Sequence, residues 1–314
     1  MLMRGLVVRN TGYSYTVRAD ESGELYECKV KGNFRIKGIR TTNPIAIGDR
    51  VEFSMMKEEN AGLITELEDR KNYIIRKSIN LSKQSHIIAA NIDQCFLIVT
   101  VQQPETSLTF IDRFLASAEA YRIPVSLVFN KIDLVGEEWQ EYLEGVVGLY
   151  ETVGYRCYKV SSVTGEGIEE IRGLLDGKIT LLSGNSGVGK STLINTLFPN
   201  YNIKVSEISD AYGTGKHTTT FSEMYPVADN AYIIDTPGIK GFGTFDMTRG
   251  EIGHYFKEIF RYSAECRFNN CTHTHEPKCA VVRAVEEHNI SQSRYNSYLS
   301  MLEDEKEDRY RAAY

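Results

Sequence analysis

The chain has 314 residues, of which 42% are hydrophobic and 25% charged, with a formal net charge of −6. That length suits two or three domains, and the composition is that of ordinary globular material. No apolar run reaches the roughly 18 residues that a bilayer span needs, and MLMRGLVVRN has neither a long apolar core nor a small-residue cleavage site, so neither a membrane span nor a secretory signal is expected.

Residues 1–71 read as all-β. RGLVVRN, YSYTVRA, ELYECKV, DRVEFSM and GLITELE are short, rich in β-branched or aromatic residues, and separated by Gly, Asn, Asp or Pro. Five such strands suit a small OB-like barrel, an architecture that often binds oligonucleotides. Residues 29–40, KVKGNFRIKGIR, hold Lys29, Lys31, Arg35, Lys37 and Arg40 with Phe34 among them and no acid. A basic patch with an aromatic binds RNA even on an acidic chain, and a solvated strand face with a charged loop is the plainer alternative.

Residues 72–93 read as a polar connector, and then the period changes. CFLIVTV (95–101) is a continuous apolar run, as in a strand buried on both faces. LTFIDRFLASAEAY (108–121) places Phe110, Ile111, Phe114, Leu115 and Ala118 on one helical stripe. The strand VSLVF, the helix EEWQEYLEGVVGLYETV, the strand RCYKV, the helix GIEEIRGLL and the strand KITLLS follow. That alternation predicts a parallel sheet flanked by helices. FSEMYPV and AYIID are two further strands, and beyond residue 245 the pattern is mostly helical.

Four loops of this sheet carry chemistry. Asn130, Lys131, Ile132 and Asp133 follow a buried strand. Guanine presents N1–H and an exocyclic amine side by side, and one carboxylate, Asp133, accepts from both; adenine has neither donor there. Asn130 is placed to tie neighbouring loops together and the Lys131 stem to cover the purine face. SSVTG (161–165) is similar to the second loop that contacts guanine. GNSGVGKST, comprising Gly184, Asn185, Ser186, Gly187, Val188, Gly189, Lys190, Ser191 and Thr192, follows a strand and opens a helix, the context a phosphate-binding P-loop requires. Its glycines let backbone N–H groups approach phosphate, and the helix N-terminus adds partial positive charge. Lys190 is expected to reach the β and γ phosphates and Ser191 to ligate Mg²⁺. DTPG at 235–238 supplies Asp235 as the second magnesium residue and the Gly238 N–H as the γ-phosphate sensor. GTP and GDP are therefore the expected ligands.

The order is guanine loops first, phosphate loop second, Asp-x-x-Gly last. That is a circular permutation of the usual order, permissible where domain termini lie close together. It leads the second switch directly into the C-terminal region, an arrangement suited to moving a C-terminal module. DAYGTGKHTTTFSE (210–223) occupies the place of switch I, with Gly213 and Gly215 for mobility. One of Thr218, Thr219 and Thr220 is expected to complete the magnesium shell. Ile239 stands where many GTPases carry a water-orienting glutamine, so slow intrinsic hydrolysis is expected, with His217 the candidate catalytic group.

Of six cysteines, Cys28, Cys95 and Cys157 are scattered, whereas CRFNNCTHTHEPKC clusters Cys266, Cys271, His273 and Cys279. Three thiolates and an imidazole match a closed, structural zinc site, with His275 competing for the fourth position and a set of free thiols and loop histidines as the plainer alternative. This usage fits a reducing cytoplasm better than a disulfide framework.

An OB-like barrel, a permuted GTPase with NKID, GNSGVGKST, GKHTTT and DTPG, and a Cys-x₄-Cys-x-His-x₅-Cys cluster together resemble the RsgA/YjeQ family of bacterial small-subunit ribosome biogenesis GTPases. The resemblance covers essentially the whole chain. It implies binding to the small ribosomal subunit and its rRNA, GTP hydrolysis stimulated by that subunit, a role in late maturation, and a hydrophobic residue replacing the catalytic glutamine, as Ile239 does. The expected organisation is an OB-like, RNA-binding β-barrel at 1–71, a permuted α/β P-loop GTPase domain at 72–244 including the connector 72–93, and a mostly α zinc-binding domain at 245–314. A cytoplasmic monomer without membrane or DNA partners is expected. Two rival classes are a GTPase switch signalling to a protein effector and an RNA-binding scaffold with a structural nucleotide site. The absence of a lipidation motif counts against the first, and the set Lys190, Ser191 and Asp235 counts against the second.

Overall fold

The computed structural model describes residues 2–12, 14–30, 44–56, 61–77, 85–199, 223–228, 230–235 and 247–312. The chain divides into two compact units. One comprises residues 1–96, 165–183 and 190–239; the other comprises 97–164, 184–189 and 240–314.

In the first unit, β1 (Leu2–Asn10), β2 (Tyr15–Ala19), β3 (Leu25–Val30), β4 (Arg50–Met55) and β5 (Gly62–Leu67) form the barrel expected from the sequence. The ladder runs β1-β2-β3-β5-β4 and closes by pairing β4 back to β1, with Met3 opposite Phe53 and Gly5 opposite Val51. Alternation does the sorting: on β2, Tyr15, Val17 and Ala19 point inward while Thr16 and Arg18 do not. Cys28, Ile45, Val51, Phe53 and Ile64 complete the core. Inside the loop before β4, Asp49 is fully buried and accepts from the Ala46 N–H at 2.8 Å and from Arg70 at 2.7 and 2.6 Å.

The described residues of the expected connector carry two strands. β6 (Tyr73–Lys77) and β7 (Ser85–Ala90) pair antiparallel, with Tyr73 opposite Ala90 and Ile74 opposite Ala89. The base of this hairpin is closed by the Asn72 side chain. Its amide donates to the Ile92 carbonyl and its oxygen accepts from the Ile92 N–H, both at 2.8 Å. A side-chain amide thus takes the place of a backbone pair, which hydrophobic periodicity does not reveal.

β8 (Gln94–Val99) is buried along nearly its whole length. In the first unit, β11 (Ile179–Ser183) lies parallel to β13 (Ala231–Asp235), which pairs antiparallel with β12 (Glu223–Ala228). β12 meets the barrel strand β1 at Glu223 and Arg9. The Arg18 guanidinium on β2 also donates to the Tyr232 hydroxyl on β13.

In the second unit, β9 (Val125–Phe129) lies parallel to β10 (Arg156–Lys159). Helix α1 (Leu108–Ala120) starts at Ser107, whose hydroxyl accepts from the Phe110 N–H at 3.3 Å, and buries Ile111, Phe114, Leu115 and Ala118. Helix α2 (Glu137–Val153) carries Glu137 and Glu138 in its first turn, where the helix dipole favours negative charge. Helices α3 (Ile168–Gly173) and α4 (Lys190–Leu197) belong to the first unit.

After residue 247, α5 (Lys257–Ser263), α6 (Ala280–Glu286) and α7 (Gln292–Ala312) surround the cysteine cluster. The sequence pattern reads residues 280–304 as one helical stretch, but it breaks after Glu286. His288 adopts φ +60° and Ile290 is buried, which turns the chain before α7. The core here contains Phe256, Ile259, Val281, Ala284, Ile290, Tyr298 and Met301, and Ala116 of α1 joins it. A salt-bridge cluster locks this contact. Arg294, 1% exposed, donates to Glu258 at 2.6 and 3.0 Å and to Asp112 of α1 at 2.9 Å, while the Tyr150 hydroxyl donates to the same Asp112 oxygen at 2.8 Å. Burial disfavours the Arg294 charge, yet Glu258 and Asp112 hold its pKa above the ordinary arginine value.

Candidate nucleotide and metal sites

β9 delivers Asn130 into the interior, where its N–H donates to the Val99 carbonyl at 2.9 Å. The side chain joins three loops. Its Nδ2 donates to the Val188 carbonyl of the glycine-rich loop at 2.9 Å, and its Oδ1 accepts from the Ser162 hydroxyl at 2.9 Å and N–H at 3.2 Å. Asp133 is exposed on one side and accepts from the Ser161 hydroxyl at 2.5 Å on the other. Ser161 Oγ in turn accepts the N–H groups of Val163 and Thr164 at 3.3 and 3.0 Å, so one buried hydroxyl shapes the SSVTG loop and orients the carboxylate. Ile132 donates its N–H to the Val160 carbonyl at 3.3 Å. Lys131 sits at φ +65° and its ammonium donates to the Gln103 carbonyl at 2.6 Å.

The glycine-rich loop needs its glycines for space as well as for φ. Gly184 has φ +146°, and a Cβ there would lie 2.3 Å from the Ile98 carbonyl oxygen. Gly189 has φ +93°, and a Cβ there would lie 2.4 Å from the Asn130 amide nitrogen. Val188 is buried, Asn185 is half-buried, and Ser186 and Gly187 are exposed. Lys190, Ser191 and Thr192 form the first turn of α4, with Lys190 and Ser191 half-buried. Asp235 ends β13 in register with Leu182 of β11. Most of the basic segment (Lys31, Phe34, Arg35, Lys37 and Arg40), the switch I segment with His217 and Thr218–Thr220, and Gly238 and Ile239 lie outside the described residues.

Cys266, Cys271, His273 and Cys279 bring their ligand atoms within 4.8 Å of one another. Cys266 Sγ lies 3.6 Å from His273 Nδ1 and 3.9 Å from Cys279 Sγ, and Cys279 Sγ lies 3.4 Å from His273 Nδ1. A tetrahedral zinc has edges of about 3.8 Å between sulfurs and about 3.5 Å between sulfur and nitrogen. The donor set therefore fits the ion. His275 is outside the cluster, with its Nδ1 2.8 Å from the Thr274 hydroxyl. Burial lowers the His273 pKa, favouring the neutral imidazole that a metal needs.

Glu276 holds this loop in shape. It accepts from the Thr272 N–H and hydroxyl at 2.7 and 2.6 Å and from the Thr274 N–H at 3.0 Å. Partial burial opposes its charge, but these bonds hold its carboxyl well below the usual range. Tyr295 and Tyr298 of α7 donate to the His273 and Thr272 carbonyls at 2.6 and 2.9 Å, packing the helix on the metal loop. Neither Glu276 nor these tyrosines stands out in the sequence; a carboxylate three residues after a ligand histidine was the available hint.

The RsgA GTPase description matches residues 67–245, and the RsgA N-terminal domain matches residues 4–64. A relative in Bacteroides fragilis, named small ribosomal subunit biogenesis GTPase RsgA, is 63% identical over 312 residues, covering 99% of this chain and 100% of the relative. The chain belongs to the RsgA GTPase family. An RsgA of the same name in Porphyromonas gingivalis is 53% identical over 316 residues, covering 99% of this chain and 100% of that one. The crystal structure of YjeQ from Thermotoga maritima superposes with TM-score 0.79 at 35% identity, over 97% of this chain and 99% of that one. YloQ, described as a circularly permuted GTPase, matches with TM-score 0.76 at 27% identity, over 98% of this chain and 96% of that one. As an RsgA GTPase the chain is a GTP hydrolase, with GTP and GDP as ligands and Mg²⁺ as the accompanying ion. No helix among the described residues is long and apolar enough to cross a membrane.

Proposed function

We propose that the chain binds the small ribosomal subunit and couples GTP hydrolysis to late maturation of that subunit. Hydrolysis is slow alone and stimulated by the subunit. The observation that carries the guanine-nucleotide reading is the Asn130 side chain, which joins the glycine-rich loop to the SSVTG loop beside Asp133. Relatives bearing the ribosome biogenesis name along their full length support the partner.

In this reading, Asp133 accepts the two guanine donors, with Ser161 fixing its orientation. Asn130 keeps the base loops in register with the phosphate loop. The N–H groups of 184–189 surround phosphate, and Lys190 reaches the β and γ groups. Ser191 and Asp235 hold Mg²⁺, which neutralises charge on the transferred phosphoryl group. His217 orients the attacking water in place of glutamine. Cys266, Cys271, His273 and Cys279 hold one structural zinc ion. The barrel, residues 1–71, contacts rRNA through its basic segment; residues 72–244 are the GTPase domain and 245–314 the zinc domain. The protein acts as a cytoplasmic monomer.

The test is the GTPase rate with and without purified small subunits, together with co-sedimentation in GDP and in a non-hydrolysable GTP analogue. Stimulation and stronger binding with the GTP analogue are expected. No stimulation and nucleotide-independent binding would overturn the ribosomal reading.

A further inference from the structure

The loop between β8 and α1 lies against the Asn130–Asp133 loop and the glycine-rich loop. It is closed on itself by two buried threonines. The Thr100 N–H donates to Thr106 Oγ1 at 3.1 Å, the Thr106 N–H donates to the Thr100 carbonyl at 2.8 Å, and the Thr100 hydroxyl donates to the Pro104 carbonyl at 2.5 Å. At its tip, Gln103 is held at φ +53°, a region that non-glycine residues occupy only when their surroundings impose it.

Two contacts face the nucleotide loops. The Gln103 carbonyl accepts the Lys131 ammonium at 2.6 Å. The Pro104 ring backs Gly187, close enough that a Cβ on Gly187 would lie 3.3 Å from it. Between these points the Lys131 stem passes over the glycine-rich loop, with its Cε 3.7 Å from where a Gly189 Cβ would be. A lysine stem is long and free to rotate, and fixing it carries an entropic cost that an anchor at its far end offsets.

We propose that the Thr100–Thr106 loop is a brace for nucleotide binding: it anchors the Lys131 ammonium so that the stem stays extended across the guanine site, and it backs the phosphate loop at Gly187. Thr100 and Thr106 are then positioning residues that act through Lys131 and Pro104. This rests on the guanine-nucleotide reading above. The ligand class is unchanged, but the residues that set how long a nucleotide stays bound now include a segment outside the recognised nucleotide motifs.

The experiment uses the full chain and GDP carrying a fluorescent N-methylanthraniloyl group, chased with unlabelled GDP in a stopped-flow instrument. Thr106→Val removes the hydroxyl that accepts the Thr100 N–H, and the dissociation rate is expected to rise about fivefold, the factor for about one net hydrogen bond. Thr106→Ser keeps the acceptor and is expected to stay within about twofold of wild type. In a Lys131→Ala background, which dissociates faster itself, Thr106→Val is expected to raise the rate by clearly less than in wild type, because only the Gly187 contact remains for it to disturb. An unchanged rate in Thr106→Val, or the full increase persisting without Lys131, overturns the brace. Pro104→Gly, at an exposed position, removes the ring behind Gly187 and tests the second contact should Thr106→Val fail to fold: faster release is expected with or without Lys131, and an unchanged rate overturns the brace. A wild-type chain that does not retain labelled GDP fails at the earlier step and removes the nucleotide-site reading itself.

Discussion

Replacing Arg294 by methionine isolates the link between α1 and the C-terminal helices. The substitution keeps most of the stem but deletes a guanidinium that is 1% exposed and makes three bonds to Glu258 and Asp112. Two carboxylates are left buried without a cation, since Asp112 keeps only the Tyr150 hydroxyl and its second oxygen has no partner among the described atoms. Removing one member of a buried ion pair costs about 3–5 kcal/mol. With a urea dependence of about 2 kcal/mol per molar, the midpoint should fall by about 1.5–2.5 M. The single tryptophan, Trp139, reports the event directly. It packs edge-on against Tyr142 on α2, the helix that also carries Tyr150. Breaking the exposed Lys159–Glu144 pair with Lys159→Met serves as the contrast and should shift the midpoint by less than about 0.5 M. Adding Glu258→Leu and Asp112→Leu to Arg294→Met should recover most of the loss, because the stranded charges go with it. A shift below about 0.5 M for Arg294→Met alone would refute the reasoning.

Gly189→Ala places a methyl 2.4 Å from the Asn130 amide at φ +93°, so it strains the backbone and breaks the bond to Val188. At about 1 kcal/mol for each, GDP affinity should fall about thirtyfold by calorimetry. Asp133→Asn removes the paired acceptor and supplies a donor, so guanine nucleotides should weaken by about a hundredfold or more while xanthine nucleotides, with a carbonyl at that ring position, gain. Element analysis should find one zinc per wild-type chain. Zinc should be lost in Cys271→Ser and His273→Ala and retained in His275→Ala, whose imidazole lies outside the cluster. His217→Ala should lower subunit-stimulated kcat by at least about tenfold with GTP affinity nearly kept, and an unchanged stimulated rate would exclude His217 from the chemistry.

The barrel strands were readable because each alternates on a half-buried surface, and the nucleotide loops because their chemistry demands fixed residue types at short spacing. What joins these pieces was not readable. The tetrapeptide announces that Asn130 ties loops together but not that it meets Val188 and Ser162 across 58 and 32 positions, and nothing local announces that Arg294 meets Asp112 across 182. Asp112 sits among apolar residues of α1, where periodicity alone reads it as an interruption of the stripe rather than an ion-pair partner. The pairing of β6 with β7 is closed by the Asn72 side-chain amide, which the polar composition of this segment does not announce. The choice between His273 and His275 depends on which imidazole a tight loop turns inward, and that turn is made by Glu276 from beyond both.

The Arg294 cluster also bears on what a partner could learn by gripping the cysteine-rich end of the chain. That end is clamped to α1, which follows directly on the loop that holds the Lys131 ammonium, and both belong to the unit that carries Asn130 and Asp133. A partner holding this end is therefore coupled, through α1, to one short loop that touches Lys131 and Gly187 together, so on the proposed reading it would sense the base loop and the glycine-rich loop as a single body.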